Sequence, residues 1–260
     1  MTHRRGRFSR YVALGDSQTE GVGDGDDSTG LRGLADRFAE RLAVAEPRVR
    51  YANLAVRGKL AAQVRAEQLA PALALEPDVA TVVAGMNDLL RPGFDLDEVM
   101  RHLDAMFAGL AASGAVVLTV TYPDVTRLTP LARPLAGRVG ALNDRIRVSA
   151  RRYGVLVAET AAHPVVTDRR LWAADRLHAS PLGHQRIADA LAETLGLPGA
   201  DDAWTRPLDP ALPGSHPLVT ARDEIRWLAT FLGPWLSRRL TGRSSADGRF
   251  AKRPELLAVR

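Results

Sequence analysis

The sequence predicts an α/β protein in which a parallel sheet lies between two layers of helices. Five short apolar runs are bounded by turn residues, and five longer segments carry apolar residues at every third or fourth position. The two kinds of segment alternate along the chain. The short runs are mostly apolar and do not alternate with polar residues, as expected of strands that are buried on both faces. Because parallel strands need helical crossovers of one hand, a flavodoxin-like, three-layer αβα sandwich with a five-stranded parallel sheet follows.

Each predicted element has defined limits in the sequence. The predicted strands are residues 11–14, 50–55, 79–84, 115–121 and 155–159. The predicted helices are residues 31–44, 60–75, 96–112, 131–153 and 181–195. Ligands of such sheets bind outside the carboxyl ends of the strands, so functional residues are expected directly after these strands.

Length and composition favour one main domain with an appendage. The chain has 260 residues, of which 46% are hydrophobic and 25% are charged, as in a folded globular protein. We predict a main domain over residues 1–199. Residues 200–260 are predicted to form a proline-rich connector, an amphipathic helix and a basic, loosely ordered tail.

The charge distribution argues against a nucleic-acid partner. The formal net charge is +5, but residues 237–260 alone hold seven basic and two acidic residues, so the rest of the chain is neutral overall.

The chain has no cysteine, which excludes disulfides, thiolate metal sites and a cysteine nucleophile. No stretch reaches the length of a membrane span, and the apolar run at 11–14 is too short for a signal peptide, so a cytoplasmic protein is predicted.

The segment 222–240 is the one amphipathic element of the appendage. Its simplest interpretation is a helix packed on the main domain, with a break at Gly233 and Pro234. The alternatives are a lid, a dimer contact or a transient membrane-surface contact beside the basic tail. The sequence leaves the oligomeric state open. The residues at helical spacing are Ile225, Leu228, Phe231, Leu232, Trp235 and Leu236, with Trp227 between them.

Polar residues suited to acyl transfer follow four of the predicted strands. Ser17 comes after the first strand, Gly58 after the second and Asn87 after the third. Asp175 and His178, three residues apart, come after the fifth strand and a longer loop. A serine nucleophile needs an adjacent base such as His178, and a carboxylate such as Asp175 can orient that base.

The negative charge of a tetrahedral intermediate requires hydrogen-bond donors that are fixed before reaction. The backbone N–H groups of Ser17 and Gly58 and the side-chain amide of Asn87 are the candidates for this oxyanion hole. Gly58 could instead be an ordinary glycine at a helix start. Asn87 and Asp88 could only cap a helix, which is the favoured interpretation for Asp88. Asp16 is expected to be structural.

These residues resemble the four sequence blocks of the SGNH (GDSL) hydrolase family. The blocks are "GDSQTEG" with Ser17, "VRGK" with Gly58, "GMND" with Asn87 and "DRLH" with Asp175 and His178. They stand in the family's order over about residues 11–195. The resemblance implies a catalytic main domain and esterase or lipase-like hydrolysis through a serine acyl-enzyme, without a metal or organic cofactor. It also assigns the oxyanion hole to Ser17, Gly58 and Asn87.

Several alternatives remain open at this point. Arg176 and Ala179 depart from the residues that are commoner in the family, at the predicted rim of the pocket. His184 is the alternative to His178 as the base, although its place inside a predicted helix favours a structural role. A metal site of Asp175, His178 and His184 is a further, less favoured alternative. The substrate could be a short- to medium-chain carboxylic ester, a lysophospholipid or thioester, or an acetylated sugar. A non-catalytic binding module that holds an acidic partner through the basic tail is the alternative of a different class.

Overall fold

A six-stranded sheet runs through the centre of the protein. The computed structural model describes residues 8–210, 225–232 and 247–259. The strands are β1 (Arg10–Gly15), β2 (Arg50–Asn53), β3 (Val79–Val83), β4 (Val116–Val120), β5 (Leu156–Ala158) and β6 (Arg253–Ala258). Their order across the sheet is β5-β4-β3-β1-β2-β6, and all neighbours are parallel except β2 and β6. The chain therefore leaves β1 toward one side of the sheet and returns to its other side, which makes the end of β1 the topological switch point.

Helices cover the sheet in two packed groups. They are α1 (Ser17–Glu20), α2 (Leu34–Ala45), α3 (Ala61–Ala74), α4 (Met86–Leu89), α5 (Leu96–Ala112), α6 (Ala136–Tyr153) and α7 (Pro181–Leu195). Helix α2 packs against α7, whereas α5 packs against both α3 and α6. Strands β1 and β3 are buried along nearly their whole length, which explains their uninterrupted apolar sequence. The predicted fold class is confirmed.

The predicted helix starts were wrong at two places, for local reasons. The helix predicted over 31–44 begins at Leu34, because Gly30–Leu31 pairs with Gly25–Asp26 in a small antiparallel ribbon. The helix predicted over 131–153 begins at Ala136, after a 3₁₀ segment over Pro130–Leu135. Pro134 in this segment lacks the N–H that an α-helix interior needs.

The C-terminal tail contradicts the prediction of a loosely ordered end. Strand β6 adds to the free edge of β2, so the predicted five-stranded sheet gains a sixth, antiparallel strand. The guanidinium of Arg253 donates to the Tyr51 carbonyl and lies 5.2 Å from the Tyr51 ring centroid. Lys252 donates to the Leu31 carbonyl and pairs with Asp36 at 2.6 Å. The basic charges of this part of the tail therefore bind the main domain.

The amphipathic segment 222–240 is described only over residues 225–232, where the chain is helical and Leu228–Leu232 form a π-helix. Trp227 is buried, with 5% of its surface exposed, whereas Ile225 is 68% exposed. The predicted apolar face was therefore wrong for Ile225. Gly233, Pro234 and the remainder of the segment lie outside the described residues.

The boundary at residue 199 stays a prediction. Just beyond it, the turn Asp202–Thr205 carries the buried Trp204, whose ring packs edge-on against His163 at 4.7 Å. Across residues 8–210, 225–232 and 247–259, no helix combines the length and apolarity needed to cross a membrane.

Candidate active site

Ser17 is the first residue of α1, directly after the central strand β1. Asp16 precedes the helix and accepts a hydrogen bond from the Gln18 N–H at 3.3 Å. There is no room for a side chain at Gly15, because a Cβ there would lie 2.3 Å from the Thr19 hydroxyl and 2.5 Å from the Val83 carbonyl oxygen of the neighbouring strand β3. The sequence "GDS" therefore takes the chain sharply from β1 into α1 and holds the Ser17 hydroxyl at the switch point of the sheet.

Ser17, His178 and Asp175 form a hydrogen-bonded chain. The Ser17 Oγ lies 2.8 Å from the His178 Nε2, and the His178 Nδ1 lies 2.6 Å from an Asp175 carboxylate oxygen. The other carboxylate oxygen accepts hydrogen bonds from the backbone N–H groups of Leu177 and His178. Burial by itself raises the pKa of Asp175, but these bonds outweigh it and hold the pKa below its usual value. A charged carboxylate on Nδ1 leaves the Nε2 lone pair facing the Ser17 hydroxyl.

Gln18 ties the loop of His178 to helix α1. Its side-chain amide donates to the Leu177 carbonyl at 2.9 Å, and its side-chain oxygen accepts from the Ala179 N–H at 3.3 Å. The two contacts flank His178 on both sides and fix the imidazole relative to Ser17. Sequence reasoning missed this role, and the position of Gln18 next to Ser17 was its only signal.

The three oxyanion candidates meet at the same corner. Gly58 has a φ of +79°, which favours glycine over residues with a side chain. Among the residues that the structure describes, the backbone N–H groups of Ser17 and Gly58 donate to no protein acceptor. The Asn87 amide nitrogen donates to the Asp16 carboxylate at 3.0 Å and to the Lys59 carbonyl at 3.1 Å. The amide is thus held against both the Ser17 turn and the Gly58 loop.

An ion pair beneath this corner supports the Gly58 loop. The Glu20 carboxylate is buried and accepts the Arg57 backbone N–H at 2.6 Å. The Arg57 guanidinium pairs with Glu20 and also with Asp27, each at 2.9 Å. Sequence reasoning missed both Glu20 and Arg57, because nothing in the sequence around them indicates that they contact each other.

Two carboxyl groups at this corner, the buried Asp16 and the half-buried Asp88, have raised pKa values. Asp16 is 3% exposed, and burial raises its pKa to about 7. Burial also raises the pKa of Asp88, whose carboxylate accepts the Ala61 N–H at 3.0 Å. Asp88 therefore caps α3 rather than the helix in which it lies. Both carboxyl groups make the structural contacts expected of them.

His184 lies in the interior of α7 and does not contact Ser17. Its Nδ1 accepts the Leu34 N–H at 3.1 Å, and its Nε2 lies 3.1 Å from the Val22 carbonyl, to which it donates. The residue is fully buried, and burial lowers its pKa to about 4, so the ring is neutral. No group of three or more His, Cys, Asp or Glu in the described part of the chain is arranged to hold a metal ion.

A cavity of about 160 Å³ opens beside Ser17 and His178. It extends between the carboxyl ends of β3 and β4 and the helices α4 and α7. Most of its lining is aliphatic or aromatic, so a bound group there leaves water for an apolar surface. Its apolar lining includes Met86, Leu90, Val120, Tyr122, Leu135, Val166, Leu171, Trp172, Ile187 and Trp204.

The model of the GDSL-like lipase/acylhydrolase family matches residues 13–186 of the chain. The chain belongs to this family. The match spans Ser17, Gly58, Asn87, Asp175 and His178 of the acylhydrolase, and the predicted family and the predicted class of carboxylic ester hydrolase are confirmed. The segment of Trp227 and strand β6 lie beyond the matched residues.

Solved structures with similar folds include three hydrolases. LAE5, an α/β hydrolase enzyme from the metagenome of Lake Arreo in Spain, is 23% identical, with a TM-score of 0.61 over 73% of the acylhydrolase and 95% of LAE5. The acetylxylan esterase Axe2 from Geobacillus stearothermophilus is 19% identical, with a TM-score of 0.61 over 76% and 96%. A lipase/acylhydrolase from Enterococcus faecalis is 21% identical, with a TM-score of 0.59 over 72% and 95%. No curated protein matches the sequence significantly.

Proposed function

We propose that this acylhydrolase cleaves carboxylic esters of short- to medium-chain acids through a covalent acyl-enzyme on Ser17, without a cofactor. The observation that carries the proposal is the continuous chain from the Ser17 hydroxyl through His178 to the Asp175 carboxylate, with bonds of 2.8 and 2.6 Å. A base within hydrogen-bond reach of a serine, itself oriented by a third group, is the geometry that serine acyl transfer requires.

The proposed reaction has two halves. His178 removes the Ser17 proton as Oγ attacks the acyl carbon, and the imidazolium then protonates the departing alcohol. In the second half, His178 takes a proton from water, the hydroxide attacks the acyl-enzyme, and the same proton returns to Ser17 as the carboxylic acid leaves. Asp175 stabilises the imidazolium in both halves.

The developing oxyanion is proposed to be held by three donors. The N–H groups of Ser17 and Gly58 are available to it, and Asn87 turns one amide hydrogen from the Lys59 carbonyl toward it while Asp16 keeps the other. Such donors act in a partly dry site, where each is worth about 3–4 kcal/mol of transition-state stabilisation.

The apolar cavity supports an aliphatic acyl group in preference to an acetyl group. The same triad serves a lysophospholipid, a thioester or an acetylated sugar, so the chain-length profile is the discriminating measurement. Turnover of nitrophenyl esters that rises from acetate toward medium-chain acids supports the proposed substrate. Turnover confined to acetate contradicts it. Cytoplasmic location and membrane contact through 222–240 stay predictions.

The decisive experiment is active-site labelling. Treatment with a fluorophosphonate, followed by peptide mass spectrometry, is expected to place the label on Ser17. The ester turnover of Ser17→Ala is expected to fall by at least about a thousandfold.

Ser28→Ala serves as the matched control, because Ser28 is an exposed serine in the ribbon after α1, and this variant should keep both label and turnover. Label on another residue of the folded protein, or undiminished turnover by Ser17→Ala, would reject the proposal. A protein that binds an acidic partner but shows no turnover would support the binding-module alternative instead.

A further inference from the structure

Trp227 contacts the loop of the proposed triad, although it lies far outside the residues matched by the family. Its indole N–H donates to the backbone carbonyl of Asp175 at 2.7 Å. The guanidinium of Arg176 lies 5.3 Å from the centroid of the Trp227 ring, within the range of a cation–π contact. The ring is 5% exposed. The C-terminal segment therefore contacts two consecutive residues of the Asp175 loop.

The backbone at these two residues has an unusual conformation. Arg176 has a φ of +58°, a left-handed conformation that residues other than glycine rarely adopt. The conformation lets the Asp175 carboxylate accept the N–H groups of Leu177 and His178 while its second oxygen meets the His178 ring. A strained backbone of this kind persists only where surrounding contacts hold it.

We propose that Trp227 is a positioning residue for catalysis, which holds the Asp175–Arg176 peptide so that the Asp175 carboxylate stays aligned with His178. The indole N–H fixes the carbonyl on one side of this peptide, and the indole ring fixes the side chain on its other side. Gln18 holds the same loop from the direction of Ser17. The inference rests on the proposed roles of Ser17, His178 and Asp175.

A buried indole N–H needs some acceptor wherever it packs, and what distinguishes Trp227 is that its acceptor is the carbonyl of Asp175 itself. Apolar packing requires contact with side chains, but it does not require a hydrogen bond to the carbonyl of one loop residue. The two accounts also differ in their consequences. Loss of packing lowers stability, whereas loss of alignment lowers the rate of the chemical step and weakens the bond between Asp175 and His178.

Trp227→Phe is the test variant, because it removes the indole N–H and keeps an aromatic ring beside Arg176. We expect kcat to fall by about twofold to tenfold, the factor that corresponds to one neutral hydrogen bond, with KM unchanged. The downfield proton resonance of the hydrogen bond between His178 Nδ1 and Asp175 is expected to weaken. Trp227→Ala, which also removes the ring, should show a larger loss of kcat.

Ile225→Ala is the matched control, since it lies two residues away on the same segment and is 68% exposed. It should leave kcat and the resonance as in the wild type. Wild-type values of kcat and resonance in Trp227→Phe would overturn the inference, as would a rise in KM at constant kcat, which indicates contact with substrate. A wild-type enzyme without Ser17-dependent turnover would instead overturn the proposed function, so the two failures are distinguishable.

Discussion

Replacement of His184 by glutamine is expected to change how the stability of the protein depends on pH. His184 is fully buried between the Leu34 N–H and the Val22 carbonyl. Because burial lowers its pKa from 6.5 to about 4, the folded protein keeps the ring neutral under conditions in which the unfolded chain binds a proton. Glutamine offers an acceptor and a donor but does not titrate.

The sign and size of the effect follow from linkage. A depressed histidine pKa contributes stability that is fully present above pH 6.5 and is lost as the pH falls toward 4. A shift of about 2.5 pKa units corresponds to about 3 kcal/mol. The stability advantage of the wild type over His184→Gln should therefore shrink by about 3 kcal/mol between about pH 8 and about pH 4.

Urea unfolding at these two pH values measures the difference directly. At about pH 8 residue 184 is uncharged in both proteins, so the difference between their free energies of unfolding reports only the altered contacts. The contributions of all other titrating groups cancel between the two proteins. The acid titration of the remaining groups affects both proteins alike. A wild-type advantage that is the same at both pH values, within about 0.5 kcal/mol, would refute the reasoning.

Three further predictions concern the site. Asn87→Ala should lower kcat by about a hundredfold to a thousandfold in steady-state assays without loss of fold, since it removes one of the proposed oxyanion donors; an unchanged kcat contradicts that role. The Asp16 carboxyl has a raised pKa in the folded protein, so the wild type loses stability as the pH rises from about 4 to about 7. Asn does not titrate, so the free energy of unfolding of Asp16→Asn, measured in urea, should rise relative to that of the wild type by on the order of 4 kcal/mol over this range. Gly23→Ala should lower the melting temperature and kcat, because its Cβ would lie 2.1 Å from the Ala179 carbonyl beside His178.

The parts of the fold that the sequence predicted correctly are those with a local signal. Strands β1 and β3 are buried on both faces, so their composition alone identifies them. Strand β6 has no such signal. It begins with Arg253 and Pro254 and contains a glutamate, and it pairs with β2 about two hundred residues earlier. Proline is tolerated there because β6 is an edge strand, which is visible only once the whole sheet is known.

The residues of the site divide in the same way. Ser17, Gly58, Asn87, Asp175 and His178 have residue types that suit acyl transfer, and each follows a strand, so type and position together mark them. The residues that orient them carry no such mark. Gln18 and Glu20 act through contacts with backbone groups, and Arg57 acts through its ion pair with Glu20. Many polar side chains could make such contacts. Only their three-dimensional neighbours show what they do.

The C-terminal extension reaches the site from two directions, and burial decides which contact has the larger effect on it. On one side, Arg249 pairs with Asp27, which also binds Arg57 beside the Gly58 loop. The Arg249 and Asp27 side chains are 38% and 57% exposed, and exposed ion pairs contribute little because solvent and salt screen them. On the other side, the Trp227 indole is buried against the Asp175 carbonyl, where an unmade hydrogen bond leaves a polar group without water. The influence of the extension on the reaction is therefore expected to act mainly through Trp227, at the Asp175 carboxylate that is proposed to orient His178.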